Sequence, residues 1–190
     1  MQLQKNYLHT LPESETMRTF LTRILVVMAA VLTSAAITSC VYDDPKQEEF
    51  ELAPGDRIPD FSVKMNDGRT VTGESLRHGA ALIMFFHSDC PDCRGTLPSV
   101  QKLYDQYDGN GVSFALISRG ELAEPINAYW EEQGYNMPFS AQPDRKIYTL
   151  FASSRVPRVY VCKDGIILSA YHDDPIPTYE ELYRDILLAL

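Results

Sequence analysis

Cysteine is scarce in this chain, and it does not come in two pairs. Of the four cysteines, Cys90 and Cys93 stand two residues apart, while Cys40 and Cys162 are isolated from each other and from that pair. A four-cysteine zinc site needs a second pair, so that class is set aside. Positive charge is short as well: 17 Lys and Arg against 26 Asp and Glu give a formal net charge of −9. No basic stripe exists to neutralise phosphates, which excludes nucleic acid as a partner. There is no internal repeat and no low-complexity segment. A long apolar run is missing too. The stretch Ile24 to Ala36 is short for a permanent membrane span and is followed by Asp43 and Asp44 rather than a basic stop.

What is present is Phe85-Phe86-His87-Ser88-Asp89-Cys90-Pro91-Asp92-Cys93-Arg94. Ala80 to Phe86 is a continuous apolar run of strand length. After Cys93, the residues Leu97, Val100, Leu103, Tyr104 and Tyr107 recur at helical spacing. The cysteines therefore open a helix, and Pro91 fits its first position, where a missing N–H costs nothing. At the helix mouth, unpaired N–H groups and the positive end of the dipole favour an anionic sulfur on Cys90. Cys93, one turn on, faces inward and is placed to resolve a mixed disulfide formed at Cys90. Other readings of the same residues stay open: an inert structural disulfide, or a three-ligand cluster of His87, Cys90 and Cys93, whose thiolates would suit Cu(I).

The amino terminus bears on the compartment. Arg18 and Arg23 precede the apolar stretch, and Ile37-Thr38-Ser39-Cys40 follows it. This order resembles a bacterial lipoprotein signal with its lipobox, which implies cleavage before Cys40 and a lipid on that residue. Met17 reads as the start, since residues 1–16 add nothing to such a signal. Residues 1–39 are thus the expected signal, 40–55 an acidic tether poor in large apolar residues, and 56–190 one folded domain.

Within that domain, Phe61 to Met65 and Thr70 to Thr72 flank the hairpin signal Asn66-Asp67-Gly68. Val112 to Ser118 is a further strand, Glu124 to Gln133 a helix, Met137 to Phe139 a short strand and Arg145 to Phe151 a short helix. Val159 to Cys162 and Ile166 to Tyr171 join through Lys163-Asp164-Gly165 as a hairpin, which makes Cys162 a buried thiol. Thr178 with Glu181 matches a capping box for a last helix that buries Ile186, Leu187 and Leu190. The order predicts an α/β domain with a central mixed sheet and helices on both faces.

With Val156-Pro157 added to the dithiol and its apolar strand, the chain resembles thioredoxin-fold redoxins, and among them the envelope-anchored reductases of cytochrome maturation. The resemblance implies a cis bond at Pro157, packed against Cys90 and Cys93, with the backbone of Val156 pairing with substrate. Three departures stand out. Asp89 replaces the usual Trp before the first cysteine. Met84 occupies the position of thioredoxin's buried acid, so proton transfer at Cys93 must rely on water, on His87 or on a carboxylate elsewhere. Asp92 puts a negative charge between the cysteines, opposing the helix dipole, while a protonated His87 would oppose Asp92.

These features together predict thiol–disulfide exchange by Cys90 and Cys93, with no cofactor beyond that redox-active pair and no resident metal. The expected partners are disulfides of exported proteins and a membrane electron donor, with the domain facing the periplasm or the cell surface. Peroxide-reducing redoxins resemble one another in a threonine or serine three residues before the nucleophile and a proline seven before it. His87 and Ile83 stand there instead, which ranks that alternative low. A redox-inert binding lipoprotein is a third reading, against which the dithiol and Pro157 argue.

Overall fold

The computed structural model describes residues 50–190. The expected signal, Met17, Cys40 and most of the tether lie outside the described residues. Seven strands and three α-helices follow in order: β1 (Ser62–Lys64), β2 (Thr70–Thr72), β3 (Ala80–Phe86), α1 (Pro91–Tyr107), β4 (Val112–Ser118), α2 (Ala123–Gln133), β5 (Phe139–Ser140), β6 (Arg158–Lys163), β7 (Ile166–Tyr171) and α3 (Tyr179–Ala189). β1 and β2 form the expected antiparallel hairpin. The other five strands make one mixed sheet in the order β5-β4-β3-β6-β7. β3 and β4 run parallel, pairing Ala80 with Val112 through Phe86 with Ser118, and β6 runs antiparallel to β3. Every residue of β3 is buried, as a central strand covered on both faces requires.

The sheet carries helices on both faces, the three α-helices on one and the 3₁₀ helix Tyr148–Leu150 on the other. α2 meets the sheet through Trp130, whose ring lies 5.1 Å from those of Phe86 and Phe139. α1 brings Tyr104 to 5.3 Å from Phe114, and α3 reaches the same face through Tyr171 of β7, whose hydroxyl donates to Asp185 at 2.5 Å. All three share the Phe86 face. The reason lies in the connections: β3-α1-β4 and β4-α2-β5 step across the sheet in one direction, so right-handed crossovers put both helices on one side. On the Phe85 face lie Phe61, Tyr148, Phe151 and Tyr160, and the segment expected as a helix from Arg145 is a single 3₁₀ turn at Tyr148–Leu150.

Two further corrections concern the ends. The capping box of Thr178 and Glu181 is present, and it fixes the helical phase so that Leu182, Asp185, Ile186 and Ala189 are buried. Leu187 and Leu190 are instead 50% and 52% exposed. The fold also begins before residue 56. Glu51 bridges Ala152 in antiparallel fashion, the Leu52 N–H donates to the Phe151 carbonyl at 2.8 Å and the Gly55 N–H to Ile167 at 2.9 Å. The last residues assigned to the tether are therefore part of the domain. Among the described residues no helix is long and apolar enough to cross a membrane.

Candidate active site

Cys90 caps α1. Its backbone is extended (φ −78°, ψ 121°), Pro91 follows at the first helical position, and the Cys90 sulfur accepts the Cys93 N–H at 3.5 Å. A sulfur in that place satisfies one of the orphan amides of the first turn. The three-residue offset also sets Cys93 on the inner side of the helix, with 0% of its surface exposed, whereas Cys90 is half-buried and reachable. Both are free thiols. Burial pushes the Cys93 thiol far above its ordinary pKa. The hydrogen bond it shares with Cys90 and the charge of Asp92 act the same way, while the backbone N–H of His87 favours the thiolate. Cys93 therefore holds its proton until a base removes it.

The bond between Val156 and Pro157 is cis, and the Cys90 thiol donates to the Val156 carbonyl at 3.4 Å. The strand β6 that starts at Arg158 is paired directly with β3, Arg158 opposite Phe85. Neighbouring strands thus bring the proline loop and the dithiol to the same edge of the sheet, and the expected cysteines, Val156 and Pro157 assemble in one place.

His87 is there as well, but not as a third ligand. Its Nδ1 accepts the Asp89 N–H at 3.2 Å and faces Glu121 at 3.9 Å. Among the described residues no three His, Cys, Asp or Glu side chains converge as a metal-binding group, so the cluster that would hold Cu(I) is not assembled. Asp92 is exposed in the first turn of α1.

Glu121 was not anticipated. It is only 5% exposed, accepts the Ser88 N–H at 2.9 Å and accepts the Ser88 hydroxyl in a very short hydrogen bond. Arg94 holds the same loop from the other side: its Nε donates to the Ser88 carbonyl at 2.5 Å and its guanidinium lies 4.7 Å over the Tyr129 ring. A signal for Glu121 existed in the sequence. Parallel strands end at the same edge, so residues just past the carboxyl end of β4 border the residues just past β3.

A profile of the AhpC/TSA family matches residues 54–170, a span that holds both cysteines and Pro157. The chain belongs to the AhpC/TSA family. It is 24% identical over 167 residues to the thiol-disulfide oxidoreductase ResA of Oceanobacillus iheyensis, covering 86% of this chain and 84% of that one. Among solved structures it is similar to a thiol:disulfide interchange protein of the thioredoxin family from Chlorobium tepidum, with a TM-score of 0.62 at 20% identity, covering 74% of this chain and 99% of that one. A secreted disulfide oxidoreductase of Mycobacterium tuberculosis gives a TM-score of 0.60 at 16% identity over 68% and 96% of the two chains. The fold is thioredoxin-like.

Proposed function

We propose that this chain is an envelope thiol:disulfide oxidoreductase, held to a membrane by a lipid on Cys40, that reduces disulfides of exported proteins. The observation that carries the reading is the pairing of a reachable Cys90 with a fully buried Cys93 one turn away, both beside the cis-proline loop. The Cys90 thiolate attacks one sulfur of the partner's disulfide; a new S–S bond forms as the old one breaks, and the partner's other sulfur leaves as thiolate. Cys93 then loses its proton and attacks Cys90, releasing the second partner thiolate and leaving a Cys90–Cys93 bond. Two electrons have passed to the partner, so an upstream membrane dithiol must return two to the protein.

Burial of Cys93 makes its deprotonation the demanding step. Glu121, bonded to the loop through Ser88 and facing His87, is the carboxylate that takes this proton, directly or by way of His87. Asp92 favours the reductive direction, because its negative charge acts against the Cys93 thiolate and so favours the disulfide over the ionised reduced pair. The peroxidase alternative gains nothing from the structure. Ile83 lies buried in the middle of β3, and the residue three before Cys90 is a histidine engaged with Asp89 and Glu121. The curated relative named above carries the same activity in its name, and the M. tuberculosis neighbour is described as secreted, in keeping with an envelope location.

The reading is tested by trapping. A Cys93→Ser variant expressed as the full chain should accumulate mixed disulfides through Cys90 with envelope proteins that carry cysteines. Recovery of the variant with no covalent partner, or with partners that survive reduction, would count against it. Mass spectrometry of the same preparation should find Cys40 as the lipidated first residue.

A further inference from the structure

Arg158 follows the cis-proline and is one of the largest fully buried side chains, 2% exposed. A buried guanidinium is costly unless its donors are paired. Here Nη1 contacts Glu51 Oε1 at 2.5 Å and Nη2 donates to the Ser154 carbonyl at 2.9 Å, while the buried Nε has no hydrogen-bond partner, so the fork is held through its two terminal nitrogens. Glu51 belongs to the strap that the domain gains before residue 56. The strap is bonded along its length to the segment that leads into Pro157: Leu52 N–H to Phe151, Ser153 N–H to Phe50, each at 2.8 Å. Beyond it, the Tyr148 hydroxyl lies in short contacts with the carbonyls of both Ser154 and Arg155. Residues 151–155 are therefore pinned from two sides, and the next residue, Val156, places its carbonyl on the Cys90 sulfur.

We propose that Glu51 and Arg158 are positioning residues, which set the Val156-Pro157 loop at the height needed to seat a protein disulfide over Cys90. The inference rests on the oxidoreductase reading above and adds a specific dependence to it. Arg158 does not touch sulfur. It acts through Ser154 and the strap, and the charge of Glu51 keeps its fork in one orientation. A small aromatic disulfide needs only the reachable Cys90 sulfur, whereas an extended polypeptide must also lie along the loop. Loosening the strap should therefore affect the two kinds of substrate differently.

The experiment uses the full chain carrying Glu51→Gln, which is nearly isosteric at a side chain 29% exposed, together with Arg158→Lys and the double variant. Each is assayed with insulin and with 5,5′-dithiobis(2-nitrobenzoate). The expected result for Glu51→Gln is a fall in kcat/KM for insulin of roughly tenfold or more, carried by KM, because a misplacement of about 1 Å can cost on the order of a hundredfold. The rate with the small disulfide should be unchanged. The double variant should be no worse than the poorer single one, as expected of two residues acting as a unit. Parallel losses on both substrates would show that the pair only holds the fold together, and unchanged insulin kinetics would show that the loop does not need it. Either result overturns the proposal. Failure of the unmodified protein to reduce either substrate would instead strike at the oxidoreductase reading.

Discussion

Cys93 and Cys162 are equally buried, each with 0% of its surface exposed, yet they differ in nearly everything that matters for chemistry. Cys162 sits within β6 opposite Ala81, and its thiol is pushed up to about 12 by burial alone. Cys93 is pushed up by burial too, but it also shares a hydrogen bond with Cys90 and meets the backbone N–H of His87. Low dielectric silences a thiol; what makes one useful is a nearby sulfur to attack and a route for its proton. The helix mouth supplies these and the strand centre does not.

The widest test of that contrast is a pair of serine substitutions. Cys90→Ser should reduce turnover of a protein disulfide to the uncatalysed background, while Cys162→Ser should leave it unaltered. A loss on altering Cys162 would mean that a buried thiol with no neighbouring sulfur still takes part in turnover. Next in size is Glu121→Gln, which keeps a hydrogen-bonding group against Ser88 but removes the base. Resolution by Cys93 should slow by about 10²-fold, the lower end of what general base catalysis contributes, with formation of the mixed disulfide unaffected. Rapid-quench trapping of the mixed disulfide separates the two steps. Equal slowing of both would make Glu121 a structural support for the loop.

Much of this arrangement was legible in the sequence, and the exceptions share a cause. β3 and β4 have the bounds expected of them because β3 is a continuous apolar run and β4 is an apolar run interrupted only by Ser113 before it ends at Ser118. The start of α1 was legible because Pro91 and the apolar spacing agree. By contrast, Glu121, Glu51 and Arg158 are charged residues inside the fold, and charge in a sequence ordinarily reads as surface. Their burial depends on partners 33 and 107 residues away, which no local pattern encodes. Asp185 shows the same effect in reverse: it occupies an apolar-phase position of α3, paired with Tyr171 and Arg184, while Leu187 falls outside that phase.

A third prediction sharpens the account of Cys162. Burial pushes its thiol up to about 12, from an ordinary value of 9.0. The unfolded chain therefore loses this proton first as pH rises, and the native state is penalised in between. The stabilising contribution is complete below the unfolded value and is lost progressively above it, at about 1.4 kcal/mol per pH unit. Urea unfolding at pH 7 and pH 10.5 should show a smaller loss for Cys162→Ala than for the unmodified protein, by on the order of 2 kcal/mol. An equal loss would place the alkaline sensitivity elsewhere.

The smallest expected effect tests the helix mouth itself. Asp92 is exposed and lies in the first turn of α1, where a carboxylate suits the helix dipole but acts against an anionic sulfur in the pair, as it does at Cys93. Asp92→His removes that repulsion and can add a cation. The reduced pair is then favoured, so the potential should move in the oxidising direction. Solvent screens an exposed charge, which limits the shift to on the order of 30 mV, about 1.4 kcal/mol for this two-electron couple. Glutathione equilibration measures such a change directly, and the shift should shrink as salt is raised. A potential that stays put at low salt would mean that Asp92 serves the helix alone, and the charge argument for a reductase over an oxidase would be lost.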